Sequence, residues 1–330
     1  MSPQESLNKS GTQTGMARDE TDDVCGLAYD AEKKRARREQ FLSEMDVVIP
    51  WMRLLALIEP HYPVAGHGRR PLGLERMLRI SFMQQWFNLS DPSAEDALYD
   101  SESMRRFAGI ELGEDESSIL KFRHLLERHG LTEHLFAEVR ALLEERRLLL
   151  KAGTIVDATI INAPSSTKNA NCTRDPEMRS TRKGNQWYFG MKWHIGADLR
   201  GTVHSVTATD GAQADINQLP ELLHGDETAL YGDRAYWCEH HRQCAKQAGV
   251  RYRVNRRATS GQPLTEHQKT INASRSRVRA RGEHAFGVVK HLWGHRKVRY
   301  RGLAKNLAHG FTLFALATCI CCGGACCRDR

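Results

Sequence analysis

The residue pattern changes near position 151, and this change restricts the fold more than any other feature. Before it, apolar residues recur at helical spacing, as at Leu74 and Met77. After it, the stretch "TIVDATII" is rich in β-branched residues, which favour strands. We therefore predict an α/β chain, in which an all-helical domain over residues 31–150 precedes a sheet-containing domain over residues 151–318.

The helical half divides into short helices at recognisable breaks. "AEKKRARREQFLSEMDVVIPWMRLLALIEP" predicts a charged helix, a break at Pro50 and a more apolar helix. "DPSAEDALYDSESMRRFAGI" predicts one helix from Asp91 to Gly109, and two more should meet near Gly130. Short helices with polar faces suit a helix-turn-helix-like DNA binder, and a plain packing or dimerisation module fits the pattern equally well.

The two ends of the chain give weaker signals. Residues 1–30 are polar and without periodicity, so we expect a flexible leader and, without an apolar signal segment, a cytoplasmic protein. The apolar run at 311–322 is short for a bilayer span, so no membrane partner is expected. Residues 319–330 form a Cys-rich tail that we expect to be irregular. Zinc is the alternative, but adjacent Cys pairs do not match common ligand spacings.

The second half reads as a series of short elements. A first strand is followed by a hairpin with its turn at "DLRG", a helix, and a strand that ends at Asp233. Then come a helix ending at Gly249, another strand, a helix over 272–293 and a last helix. Strands that alternate with helices predict an α/β domain.

Positive charge is concentrated in one segment of this half. The whole chain has 48 basic and 40 acidic residues, a formal charge of +8. Residues 251–301 contain 14 Lys or Arg, 11 of them Arg, and only two acids, Glu266 and Glu283. Arg pairs bidentately with phosphate, so this segment indicates a polyanion partner, with nucleic acid first.

Three acids lie where the predicted topology could bring them together. Asp157 lies in the first strand among apolar neighbours, Asp233 follows a later strand, and Glu283 lies on the helix after the last strand. Oxygen ligands suit Mg²⁺ or Mn²⁺, and two such ions about 3.5–4 Å apart can activate a nucleophile and stabilise a leaving oxygen. Each acid alone is more simply explained as a strand-end Asp or a salt-bridged Glu.

The predicted helix over 272–293 adds two cations to this group. On one continuous helix, Arg279, Glu283 and Lys290 share a face. Glu283 would then bind metal while the two cations meet DNA phosphates. The simpler alternative is an i, i+4 ion pair between Arg279 and Glu283.

The stretch "GNQWYFGMKWH" combines aromatic and basic residues. Its aromatic side chains could stack on a flipped base, although strand alternation favours several of them as core residues; they are Trp187, Tyr188 and Trp193. Lys192 is a candidate phosphate contact. Arg182 and Lys183 are better ones, in a preceding polar segment that we expect to be mobile until DNA orders it.

Several longer motifs together resemble the DDE transposases of bacterial insertion sequences, in particular the insertion-sequence-five family. They include "DATIINA", "KGNQWYFGMKWHIGAD", "ALYGDRAYW" and "RVRARGEHAFGVVKHLWGHRKVRYRGLAKN". The resemblance covers roughly residues 50–318, and "DESSILKFRHLLERHGL" looks like that family's N-terminal transposase domain. The sequence after Thr318 is unlike the usual family ending.

The resemblance implies an RNase H-like catalytic core with Asp157, Asp233 and Glu283 as its Mg²⁺-dependent triad. It implies double-stranded DNA as partner, namely terminal inverted repeats and target DNA, and a dimeric or larger synaptic complex. The family signature of Tyr, Arg, Glu and Lys matches at Arg279, Glu283 and Lys290, but Ser276 replaces the Tyr. A nuclease without strand transfer and a catalytically inactive DNA-binding derivative are the alternatives.

Overall fold

A computed structural model describes the protein over residues 37–64, 71–110, 119–168, 172–258 and 262–326, with side chains up to residue 322. The predicted leader over residues 1–30 lies outside these residues. Where the structure describes the first 150 residues, they are helical and contain no strand, as the periodicity predicts. The helices are α1 (Arg37–Val48), α2 (Trp51–Ile58), α3 (Leu74–Trp86), α4 (Asp91–Asp100), α5 (Glu102–Ala108), α6 (Ile119–Arg128) and α7 (Leu131–Glu145).

The single helix predicted between Asp91 and Gly109 is in fact two helices. Ser101 has an extended backbone, and its hydroxyl accepts a hydrogen bond from the backbone N–H of Met104, which starts α5. A serine in this capping position satisfies a free N–H of a new helix, so the chain turns there. Gly109 ends α5 with a φ of 68°, as predicted for a glycine at that position.

The second half contains one six-stranded mixed sheet. Its strands are β1 (Thr154–Asn162), β2 (Arg179–Lys183), β3 (Gln186–Asp198), β4 (Val203–Asp210), β5 (Ala229–Gly232) and β6 (Arg251–Val254). The order is β2-β3-β1-β5-β6, with β4 also paired to β3. The β3–β4 pair is the predicted hairpin. β1 is antiparallel to β3 and parallel to β5, which joins the hairpin half of the sheet to the α/β half.

Strand β2 corrects the prediction of a mobile polar loop. β1 pairs with β3 only from Gly190 onward, so the first residues of β3 extend beyond β1. Strand β2 pairs antiparallel with this extension, from Arg179 opposite Gly190 to Lys183 opposite Gln186. The backbone of the extension requires a hydrogen-bonding partner, and that requirement overrides the polar composition of "RSTRK".

Helices cover the sheet and connect its strands. They are α8 (Leu219–Leu222), α9 (Glu239–Gln247), α10 (Glu266–Arg279), α11 (Glu283–Gly287) and α12 (Leu303–Cys326), and a π-helical turn spans Val288–Leu292. The continuous helix predicted over 272–293 is therefore wrong. The observed helix α10 starts earlier than predicted, where Thr265 and Gln268 form a capping box, and it ends at Arg279.

The C-terminal helix α12 corrects the prediction of an irregular Cys-rich tail. It continues to Cys326, and Cys319 and Cys322 are buried. Residues Leu303–Cys322 are long and apolar enough to cross a membrane, but most of this segment is buried within the protein. It packs against α7 and β4, so it serves as the central helix of the core.

A polar seam joins the helical half to the sheet-containing half. The ring of His295 donates from Nε2 to the backbone oxygen of Gln85 at 2.7 Å, and His309 Nε2 donates to Gln85 Oε1 at 2.8 Å. All three side chains are buried, and burial lowers the pKa of His295 to about 4. Buried apolar residues of both halves also form one continuous core.

Candidate active site

Two of the predicted acids lie on neighbouring parallel strands. In the β1–β5 register, Thr154 is opposite Leu230 and Ile155 is opposite Tyr231. Continuing this register by two residues places Asp157 next to Asp233, and neighbouring strands lie about 4.8 Å apart. The pairing of β1 with β5 therefore brings together two acids that are 76 residues apart in the sequence.

The surroundings of Asp157 act on its pKa in opposite directions. Its carboxylate accepts hydrogen bonds from the backbone N–H of Ala158 at 2.9 Å and from Arg279 Nη1 at 3.0 Å. Even so, the pKa of Asp157 is raised to about 6, mainly because the residue is only 8% exposed. The charges of Asp233 and Glu283 raise it further, which places both acids close to Asp157.

Asp233 follows the end of β5 and is half-buried. It caps a short 3₁₀ turn, because its Oδ1 accepts the backbone N–H of Ala235 at 2.8 Å. Gly232 precedes it in close contact with the sheet: an added Cβ would lie 3.0 Å from Val156 Cγ2. A glycine at this position lets β5 approach β1, which keeps Asp233 beside Asp157.

Glu283 is joined to Asp157 through a single guanidinium group. Arg279 Nη2 lies 2.6 Å from Glu283 Oε1, while Arg279 Nη1 contacts Asp157 Oδ2. The i, i+4 ion pair that offered a simpler explanation is therefore present, and a second carboxylate takes part in it. Arg279 provides the positive charge that two converging carboxylates require.

The backbone beside Glu283 is as close to the sheet as the backbone beside Asp233. An added Cβ on Gly282 would lie 2.8 Å from Ile155 Cγ2 of β1. Sequence reasoning missed both glycines, although "YGD" and "RGE" each place a glycine directly before an acid. Residues 281 and 282 bond to carbonyl oxygens three residues back, which interrupts the α-helical pattern just before Glu283.

The donor chemistry of the three acids fits a hard divalent cation, because carboxylate oxygens are the ligands that Mg²⁺ and Mn²⁺ prefer. Within the described ranges, however, no three His, Cys, Asp or Glu side chains are gathered closely enough to form a ready-made metal cage. The guanidinium of Arg279 lies between Asp157 and Glu283. The three acids therefore fit a divalent cation by charge and ligand type. In this structure the guanidinium group of Arg279 provides the positive charge between two of them.

Lys290 does not share an open face with Arg279 and Glu283. It projects from the π-helical turn, and its Nζ donates to Thr159 Oγ1 at 2.9 Å and to the backbone oxygen of Ile160 at 3.0 Å. Burial lowers the pKa of Lys290, and the charges of Lys183 and Arg296 lower it further. Lys290 therefore ties the Glu283 segment to β1.

The other predicted DNA contacts differ in accessibility. Lys192 is almost fully covered, and its Nζ lies 2.8 Å from Asp215 Oδ1 and 2.7 Å from the backbone oxygen of Gln213. Arg182 and Lys183 are exposed on β2, at the end of the β2–β3 ribbon. The Oγ of Ser276, at the signature's Tyr position, accepts a hydrogen bond from Asn255 Nδ2 at 2.9 Å.

The aromatic residues of β3 separate into core and surface. Trp193 is 1% exposed, and its Nε1 donates to the backbone oxygen of Asn306 at 3.2 Å, so the core prediction is confirmed there. Trp187, in contrast, is 67% exposed, so it is not among the core aromatic residues. Trp187 lies where β3 extends beyond β1, so no neighbouring strand on that side covers its ring.

Comparison with known families agrees with this architecture. A model of the transposase DDE domain matches residues 148–320, and a model of the transposase domain DUF772 matches residues 30–125. No solved structure matches the chain.

The first match covers more than half of the chain, so the protein belongs to the DDE transposases. The DDE domain implies that the mixed sheet is an RNase H-like core. The pair of matches confirms the resemblance to insertion-sequence transposases of the insertion-sequence-five type. DNA transposition is the activity of this class.

Proposed function

We propose that this protein binds the terminal inverted repeats of its own insertion sequence, cleaves DNA at the element ends, and transfers the freed 3′-OH to target DNA. The observation that supports this most directly is the placement of Asp157 on β1 and of Asp233 directly after β5, the strand parallel to β1, with Glu283 linked to Asp157 through Arg279. These contacts support a site built from three acids that lie in distant parts of the sequence.

In this proposal Asp157, Asp233 and Glu283 hold two Mg²⁺ or Mn²⁺ ions. Such ions supply Lewis-acid chemistry that activates a water or 3′-OH and stabilises a leaving oxygen of a phosphodiester. The chain's own contribution is to bring the three carboxylates together. Burial of Asp157 disfavours its charged form, so this residue gains most from a nearby cation.

Arg279 has two roles in the proposal. In the structure it neutralises Asp157 and Glu283; when DNA is bound, its guanidinium turns to a phosphate beside the scissile bond. A planar guanidinium suits either partner, since carboxylate and phosphate both accept bidentate hydrogen bonds. Lys290 adds positive charge beside β1 and holds the Glu283 segment in place.

The β2–β3 ribbon is a further proposed DNA contact. It extends beyond the C-terminal end of β1, and Asp233 follows the C-terminal end of the parallel strand β5. The ribbon presents Arg182 and Lys183 to solvent. A two-stranded ribbon fits the major groove of DNA. Lys192 is already paired with Asp215, so in this structure it contributes only to the local electrostatic potential and makes no direct phosphate contact in the proposal.

The remaining parts of the proposal concern assembly and location. Joining two element ends requires a dimer or larger synaptic complex, and the helical domain over residues 31–150 would recognise the inverted repeats. The protein would act in the cytoplasm, where bacterial DNA is accessible.

Incubating the full-length protein with labelled DNA carrying its element ends, target DNA and Mg²⁺ tests this proposal against the alternatives. Transposase activity predicts cut ends and also joined products with the target. Cut ends without joined product would indicate a nuclease. Binding without cleavage at any divalent metal concentration would indicate an inactive DNA-binding derivative.

A further inference from the structure

A basic cavity of about 340 Å³ lies between α9, β6 and α10, away from the three acids. Its lining contains four cations, two aromatic rings and, among the described residues, no carboxylate. These six side chains are Arg242, Lys246, Arg256, Arg275, Trp237 and Tyr252. A larger neighbouring cavity of about 630 Å³ shares Trp237, Arg242 and Arg256 with it.

Two aromatic rings, tilted by 58° to each other, and one arginine form one wall of the cavity. The ring centroids of Trp237 and Tyr252 lie 5.7 Å apart, and the guanidinium carbon of Arg256 lies 5.8 Å from the Trp237 centroid. The hydroxyl of Tyr252 donates to the backbone oxygen of Tyr236 at 2.5 Å, which fixes this ring. A wall of this kind can receive a flat heterocycle on an aromatic face.

The cationic side chains around the cavity outnumber the carboxylates that pair with them in the described structure. Arg242 is paired with Glu239, at 3.0 Å. Burial lowers the pKa of Arg275, and the charges of Arg256 and Arg253 lower it further. Among the lining residues, the Nε atom of Arg275 is buried and makes no hydrogen bond within the described structure. A buried donor and unbalanced cations indicate an anion that the chain itself does not supply.

The cavity is connected to the candidate active site through two elements. Arg275 lies one turn before Arg279 on α10, so about 6 Å of helix axis separates the residue at the cavity from the residue at the carboxylates. Trp237 lies four residues after Asp233, at the end of the turn that Asp233 caps. A DNA strand held at the three acids can therefore continue toward the cavity.

We propose that this cavity binds one nucleotide of a separated DNA strand, with its base against Trp237 and its phosphate on Arg256 and Arg275. An unpaired base is required because duplex stacking hides the faces that an aromatic wall would contact. The choice of DNA as the polyanion rests on the proposed function, whereas the site itself rests on the cavity, its rings and its charge.

Binding of a short oligothymidine to the full-length protein in EDTA tests the inference without any cleavage. We expect the oligonucleotide to quench tryptophan fluorescence, and Trp237→Phe to abolish most of that quenching. Trp237→Ala should weaken single-strand binding roughly tenfold, the effect of losing one stacked base. Arg256→Glu should weaken it further and reduce its salt dependence. Both substitutions should affect a duplex of the same length less.

Matched controls separate a local effect from a general one. Trp187→Phe removes the exposed tryptophan of the β2–β3 ribbon, itself a proposed DNA contact, so it can reduce the total quenching but should leave the Trp237-dependent part in place. Arg200→Glu makes the same charge change on the β3–β4 turn, at the opposite edge of the sheet, and should weaken binding less than Arg256→Glu. Thermal unfolding of each variant checks that it is folded.

Two outcomes would overturn the inference. One is a folded Trp237→Phe protein that is quenched as strongly as wild type. The other is a pair of folded Trp237→Ala and Arg256→Glu proteins that bind single strands as tightly as Arg200→Glu. This binding assay contains no metal, so its result does not depend on cleavage. A protein that binds through Trp237 here but cuts no DNA in the Mg²⁺ assay would refute the proposed function and still support this site.

Discussion

At the scale of single residues, the candidate site is a balance between burial and charge. Asp157 is buried and close to two other acids, and both effects raise its pKa, to about 6. Arg279 opposes them by contacting Asp157 and Glu283 with different nitrogens of one guanidinium. Removing the cation would leave buried negative charge without compensation, which costs more than the pair itself contributes.

The first prediction concerns this arginine. We expect Arg279→Ala to lower the free energy of unfolding by about 3 kcal/mol at pH 8 in metal-free buffer, because Asp157 loses its cation. At pH 5 the loss should be smaller, since a carboxyl group with a pKa of about 6 is then mostly protonated. Urea unfolding at both pH values measures the difference.

A double-mutant cycle isolates the cause of this loss. In an Asp157→Asn background, Arg279→Ala should cost less than in wild type, because the buried carboxylate is already absent. Equal losses at pH 8 and pH 5, or equal losses in both backgrounds, would show that Arg279 stabilises the fold through packing alone.

At the scale of elements, the position of each acid depends on how closely its segment approaches β1. After Arg279 the α-helical hydrogen bonding is interrupted, and the N–H groups of Arg281 and Gly282 bond to carbonyl oxygens three residues back. Close packing of Gly282 on Ile155 then keeps the segment of Glu283 near β1, since an added Cβ would lie 2.8 Å from Ile155 Cγ2. Gly232 does the same for Asp233 against Val156.

The second prediction tests this close approach. Gly282→Ala should lower the unfolding free energy by about 1–3 kcal/mol through overpacking, and it should reduce DNA cleavage by displacing Glu283. Gly287→Ala is the matched control on α11, because an added Cβ there has no neighbour within 4 Å and alanine favours helix. A Gly282→Ala protein as stable and active as the Gly287→Ala protein would contradict the account.

Most elements followed from local patterns, and the exceptions have physical reasons. Helical periodicity placed α3 and α7, and β-branched residues placed β1. Strand β2 was missed because "RSTRK" has no strand pattern. It pairs as a strand only because β3 extends beyond the end of β1. The break after Arg279 was missed because a helix-compatible sequence does not show that Gly282 must contact Ile155. The sequence did not show which aromatic residues of β3 are exposed, because alternation cannot show where a partner strand ends.

At the scale of the whole molecule, the helical and sheet-containing halves share a core and a polar seam. Gln85 of α3 accepts hydrogen bonds from His295 and His309 of the sheet-containing half. Burial lowers the pKa of both histidines, to about 4 for His295. No local pattern predicts this seam, since its residues lie more than 200 positions apart, and a buried histidine is recognisable only once the fold is known.

The third prediction follows from the sign of that shift. A histidine whose pKa is lowered on folding binds fewer protons in the folded state, so its stabilising effect is complete above about pH 6.5 and is lost as the pH falls toward 4. We expect wild type to lose up to about 3 kcal/mol more than His295→Gln between pH 7 and pH 4. Urea unfolding across this range measures both proteins.

The exposed His267 provides the control for this comparison. His267→Gln should follow the wild-type pH dependence, because its side chain lies on the surface of α10. A His295→Gln protein that loses as much stability in acid as wild type would show that the seam is not what acid disrupts.

The central claim is that Asp157, Asp233 and Glu283 form one divalent-metal site for DNA cleavage, and a cleavage assay on labelled element ends tests it most directly. We predict Mg²⁺-dependent cutting by wild type and a loss of at least about 100-fold in Asp157→Asn, Asp233→Asn and Glu283→Gln. The exposed controls Asp226→Asn and Glu266→Gln should cut normally. Cleavage that persists in EDTA, or in a folded Asp233→Asn protein, would contradict the account.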